Sequence, residues 1–166
     1  MIAPKQILVA TDFGPASTAA LRYGREFARA FDAMLHVLHV ISDIVAGDPL
    51  PPTYVQEVSK AQSAMLAGAR EELHAFVTSD QAPRGRDVTE VVATSNGVAP
   101  AILAYAEENA IDLIIIGHHG HGGFAHLLLG SVAEKVVRSA PCPVLTVRHP
   151  EREFIQPAAI EASLQA

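Results

Sequence analysis

The sequence predicts an α/β domain built on a parallel sheet with helices on both faces. Two observations carry this. Short β-rich runs alternate with segments of helical period from Gln6 to Val147, which is the pattern of parallel strands joined by crossover helices. The run Leu113-Ile-Ile-Ile116 is apolar without interruption, as a strand covered on both faces must be.

The first strand is Gln6-Ile-Leu-Val-Ala-Thr11, and Ala20, Gly24, Phe27 and Phe31 then recur every three or four residues, marking one face of a helix. The second strand, Leu35-His-Val-Leu-His-Val-Ile41, leads into an irregular surface connection from Ser42 to Thr53, where Gly47, Pro49, Pro51 and Pro52 oppose regular structure. The second helix is expected from Tyr54 to about Thr78, with Val58, Ala61, Met65, Ala69 and Leu73 or His74 inward. The third strand, Asp87-Val-Thr-Glu-Val-Val-Ala93, precedes a helix that turns Ile102, Leu103 and Ala106 inward. After the strand Leu113–Ile116, the last helix presents Val132, Val136 and Val137, with Ala140 closing that face, and Pro143-Val-Leu-Thr-Val147 is the fifth strand. One domain is expected over residues 1–148. The tail 149–166 is either disordered or a short amphipathic helix using Ile160 and Leu164.

A chain of 166 residues with 49% hydrophobic content can bury one core. A net charge of −6 argues against a nucleic-acid partner, which normally meets a basic face. No apolar run approaches the ~18 residues of a membrane span, and no charged-then-apolar leader opens the chain, so a cytoplasmic protein is expected. The single cysteine, Cys142, excludes an intrachain disulfide and a CxxC zinc site, and reads as a small packing residue.

In parallel sheets ligands sit beyond the carboxyl ends of the strands, where the strand order reverses. Two segments bear on that position. Ala10-Thr11-Asp12-Phe13-Gly14-Pro15 ends the first strand, and GHHGHGGFAHLLLGS, Gly117 to Ser131, follows the fourth. Asp12 either accepts a hydrogen bond from a ribose hydroxyl or a base, or caps the following helix. Ser131 and Glu134 have the S-x-x-E spacing of a capping box. The same helix N-terminus offers backbone N–H groups and the positive end of a dipole, and Gly130 lets an anion approach them. Phosphate binding needs this arrangement, but the arrangement does not require phosphate. No G-x-x-x-x-G-K-[ST] exists. Gly120-His-Gly122-Gly-Phe-Ala125 matches G-x-G-x-x-A, but only one strand follows it and the periodic helix begins too late for a dinucleotide fold. His118, His119, His121 and His126 offer imidazoles, yet no carboxylate or thiolate in the loop completes a metal site. No Ser–His–Asp arrangement and no G-x-S-x-G elbow is present, so no catalytic residue is assigned.

Gly117-x2-Gly120-x9-Gly130-Ser131 resembles the nucleotide-binding signature of the universal stress protein family, in its ATP-binding branch. The similarity runs from about Lys5 to Val147. It takes in Ile7-Leu-Val-Ala-Thr-Asp12, His39-Val40, Gly97-x2-Pro100-Ala-Ile102, Asp112-Leu-Ile-Ile-Ile-Gly117, Gly130-Ser131-Val132-Ala-Glu134 and Pro141-Cys-Pro143-Val. The resemblance implies a five-stranded parallel sheet of order 3-2-1-4-5, a Rossmann-like fold of the adenine-nucleotide α-hydrolase-like kind. It implies ATP, alone or with Mg2+, across the ends of strands one and four. Ala10, Thr11 and Asp12 would line the adenosine side, and the Val40 backbone would meet the adenine. Ile116, Gly117 and Gly120 would form the near wall, and Gly130, Ser131 and Val132 would hold the phosphates. Two residues depart from the pattern. Gly14 stands where many relatives carry serine, which weakens the cap on the first helix. His121 stands where a basic residue is frequent, so phosphate neutralisation there becomes pH-dependent or is lost.

The function so implied is that of a stress-response module that binds and signals, with nucleotide as its state. Its homodimer would form edge to edge through the last strand, Pro143 to Val147, an exposed edge in this strand order. With no dedicated general base and no Walker lysine, at most slow ATP hydrolysis is expected. Two alternatives stand beside it. One is a nucleotide-free dimeric interaction module of the same family. The other is an adenylating α-hydrolase-like enzyme, which would need a Ser-Gly-Gly-x-Asp-Ser loop that Thr11-Asp-Phe-Gly-Pro15 does not supply.

Overall fold

A parallel sheet in the order β3-β2-β1-β4-β5 organises the molecule, with β1 Gln6–Thr11, β2 Met34–Ile41, β3 Val88–Thr94, β4 Leu113–Gly117 and β5 Val144–Val147. The helices between them are α1 Pro15–Phe31, α2 Pro52–Ser79, α3 Val98–Glu108 and α4 Ser131–Ser139. The computed structural model describes residues 3–46, 51–79, 88–118 and 129–149. Among these no helix is long and apolar enough to cross a membrane.

Side chains alternate across a strand with period two, and the core divides accordingly. Ile7 and Val9 of β1 join Leu35 and Val37 of β2 and Ile115 of β4 on the face covered by α1 and α2, where Ala20, Leu21, Leu73 and Val77 pack. Leu8 and Ala10 take the opposite face with Leu38, Ile114 and Ile116, beneath Ala99, Ile102 and Ala106 of α3 and Ala133 and Val136 of α4. β1 and β4 are therefore covered on both sides, as the uninterrupted apolar run predicts. Each of the buried Val, Leu and Ile side chains contributes about 1.5–3 kcal/mol. Gly24 marks a close helix-to-sheet approach, since a Cβ there would lie 2.5 Å from Val9 Cγ2.

Three expectations need correction. The irregular connection ends at Pro51, because Pro52 opens α2. Proline's fixed φ suits the first helical turn, where its missing N–H forfeits no bond. Within α2 the inward residues are Ala69, Leu73 and Val77, while Ala61 and Met65 are exposed and Val58 is only half-buried. Only the second half of this long helix lies on the apolar face of the sheet. His74 likewise points outward, with Nδ1 3.1 Å from a Glu90 carboxylate oxygen on β3. In α4 the buried pair is Ala133 and Val136, and Val137 is 46% exposed. A nine-residue helix crossing an edge strand buries a stripe too narrow to include both Val136 and Val137.

Candidate functional site

The chain runs from β1 to β2 and β3 on one side, then crosses back to β4 and β5 on the other, so the strand order reverses between β1 and β4. Ala10 and Ile116 are Cα partners in the β1–β4 ladder. Asp12 and His118 consequently leave the sheet side by side, at the position where such folds receive ligands.

On the β1 lip a tight turn fixes Asp12. Its Oδ1 accepts the Gly14 N–H at 3.0 Å and also the Ser17 hydroxyl, while the Asp12 N–H donates to Ser17 Oγ at 3.1 Å. The Thr11 hydroxyl oxygen accepts the Phe13 N–H at 3.0 Å. Phe13 takes φ 63°, a left-handed conformation that costs a bulky residue about 1–3 kcal/mol. Aromatic packing holds it there. Its ring lies 4.2 Å from the His39 ring and 5.5 Å, edge on, from Phe76 of α2. The His39 Nδ1–H in turn donates to the Thr11 carbonyl at 2.9 Å, tying the ends of β1 and β2 together. Asp12 is not the helix cap. Gly14 holds the N-cap position with no side-chain cap, and Pro15 follows it into α1.

Gly117 brings the two lips together. A Cβ there would sit 2.9 Å from Ala16 Cβ and 3.2 Å from the Ser17 nitrogen, so its missing side chain lets the first turn of α1 close on the end of β4. Beyond it the His118 N–H donates to the Val147 carbonyl at 2.6 Å, and the His118 carbonyl accepts the Gly130 N–H at 2.9 Å. The chain leaving β4 and the chain entering α4 are joined by that second bond. Gly120 and His121, with His119 and His126, lie outside the described residues.

The expected capping box does not form. Gly130, extended at φ −66° and ψ 149°, occupies the N-cap position without a side-chain cap, which places Ser131 and Glu134 one residue too far into the helix. The Glu134 N–H closes the first turn on the Gly130 carbonyl at 2.8 Å, and its carboxylate pairs with Arg138 at 2.9 Å instead. Among the described residues, no side chain caps the N–H groups of Ser131, Val132 and Ala133, which point out of the helix end at the positive end of the dipole.

Ala10 and Ile116 are packed into the core, so only their backbone could meet a ligand. Val40 and Val132 are half-buried, Asp12 is half-buried and Ser131 is exposed. One lip thus carries a carboxylate and the other a helix N-terminus that is uncapped among the described residues. That pair suits a ligand with hydroxyl or amino donors at one end and anionic oxygens at the other. Sequence reasoning missed Ser17, Phe13 and His39. A polar residue three places into a helix that opens Gly-Pro was the available signal for Ser17.

Comparison with known proteins agrees with this architecture. The model of the universal stress protein family matches residues 4–148. A universal stress protein of Methanocaldococcus jannaschii is 33% identical over 151 residues, covering 90% of this chain and 85% of that protein. The solved universal stress protein UspA from Lactobacillus plantarum superposes with a TM-score of 0.70 at 26% identity, over 89% of this chain and all of the other. A universal stress protein solved in complex with cAMP shares the fold, with a TM-score of 0.56 at 22% identity, over 88% of this chain and 98% of that one.

Proposed function

The chain belongs to the universal stress protein family, and from that premise we propose that it binds ATP and serves as a nucleotide-dependent signalling module in the stress response. The observation that carries this is the N-terminus of α4, which no side chain caps among the described residues. Gly130 supplies no side chain, no capping box occupies the first-turn N–H groups, and the Asp12 carboxylate lies at the end of β1, the strand beside β4. A polyphosphate is the ligand such amides favour, and a carboxylate acceptor suits the hydroxyls of a ribose or the amino group of a base. The cAMP held by a protein of the same fold is likewise an adenine nucleotide, with one phosphate.

Asp12 would take the adenosine end, with the backbone of Ala10, Thr11 and Val40. Gly130, Ser131 and Val132 would take the phosphates, with His121 facing them, and Ile116, Gly117 and Gly120 would line the near wall. Mg2+, where present, would come with the nucleotide. The module acts by binding rather than turnover, in the cytoplasm and as a homodimer.

Calorimetric titration with ATP tests the assignment. The wild-type chain binds, and Gly130→Val weakens binding roughly tenfold or more, because a β-branched side chain blocks charge-assisted bonds worth about 1.5–3 kcal/mol. Gly130 has an extended backbone that valine also adopts, so the variant keeps its fold, with the melting temperature lowered by the poorer N-cap at a cost of about 1 kcal/mol. Equal affinity in the folded variant would remove α4 from the site.

A further inference from the structure

We propose that Ser17 is a positioning residue for nucleotide binding, holding the Asp12 carboxylate in the orientation that receives the adenosine end of the ligand. This rests on the reading of the site given above. Ser17 is buried, on the first turn of α1, and grips Asp12 at both ends. Its hydroxyl donates to Asp12 Oδ1, and its Oγ accepts the Asp12 backbone N–H at 3.1 Å.

A carboxylate at a strand end ordinarily samples rotamers about χ1 and χ2, and a ligand that needs one of them must freeze it on binding. Here the Ser17 O–H and the Gly14 N–H both converge on Oδ1, so that oxygen is committed to the turn and the carboxylate plane is set before any ligand arrives. Hydrogen bonds to a charged group are among the stronger ones in a protein, more so where one partner is buried. The position of Ser17 is set in turn by Gly117, since a Cβ on that residue would press on the Ser17 backbone nitrogen at 3.2 Å. The packing of α1 against β4 therefore reaches Asp12 through one hydroxyl.

The test compares ATP with inorganic triphosphate, which has no adenosine end and engages only the α4 N-terminus. Ser17→Ala weakens ATP binding roughly tenfold and leaves triphosphate binding unchanged, whereas damage to the fold would weaken both. Ser17→Cys, which fills the site with a slightly larger thiol that donates only weakly, shows the same split should the alanine variant unfold. If the wild-type chain binds ATP and either folded variant binds it equally well, or loses triphosphate in parallel, the inference fails while the site assignment stands. If the wild-type chain binds no ATP, both fail.

Discussion

His36 shows how one buried side chain sets a pH limit on the domain. Its Nε2–H donates to Gln6 Oε1 at 2.8 Å, so Nδ1 is the acceptor for the Tyr105 hydroxyl, also at 2.8 Å. This links β2 to β1 and α3. Burial pushes the imidazole below its ordinary 6.5 and pushes the Tyr105 phenol up, which keeps the first an acceptor and the second a donor. Because the folded chain takes up the His36 proton less readily than the unfolded chain, stability is full above about pH 6.5 and is lost as pH falls toward the lower folded value. The melting temperature should be level between about pH 8 and 7 and then decline, and His36→Gln should flatten that decline. Parallel curves for the two proteins would show that another group sets the acid limit. The sequence displays two histidines in the second strand but not which face each takes. Strand period separates them, with His36 among the α3-side residues and His39 against Phe13, and that assignment needs the register. Ser131 and Glu134 mislead for a similar reason. Their spacing is right for a capping box, but the bond from the Gly130 N–H to His118, between residues twelve apart, fixes the helix start one residue earlier.

Strands and helix faces are well marked in the chain because burial imposes their periods directly. Gln6–Thr11 is read with the bounds the structure gives, and Ile102 and Ala106 of α3 are inward as expected. Where an element extends past the sheet, period alone misleads. The first half of α2 keeps an apolar spacing at Val58, Ala61 and Met65, yet little of the described molecule covers it. The packing of α1 on β4 is invisible in sequence, although it depends on one glycine. Gly117→Ala places a Cβ 2.9 Å from Ala16 Cβ and 3.0 Å from the Ala16 carbonyl carbon, so the first turn of α1 must shift. Such overpacking costs about 1–3 kcal/mol. Since that turn carries Ser17, ATP affinity should fall together with the denaturation midpoint, whereas Gly68→Ala, with open space around its Cβ, should leave affinity unchanged. Wild-type affinity in a destabilised Gly117→Ala would detach α1 packing from the site.

For the whole molecule, the strand order matters most. Among the described residues it places β5 at one edge with β4 as its one partner in the sheet, and the backbone N–H and C=O groups of such an edge favour pairing with a second copy. Light scattering should report twice the chain mass of 17.6 kDa, and a monomer at micromolar concentration would refute the dimer. The same order creates the β1–β4 crevice. Its strand ends were legible in Asp12 and the glycine spacing, while the turn built by Phe13, Ser17 and His39 depends on contacts between distant segments. The central claim is that ATP bridges Asp12 and the α4 N-terminus. An amide-resolved NMR titration with ATP tests it most directly. The account predicts that saturating ATP shifts the amide resonances of Ser131, Val132 and Ala133 together with those of Asp12 and Gly14, all with one dissociation constant. ATP binding that leaves the α4 amides unmoved, or moves them without Asp12 and Gly14, would contradict it.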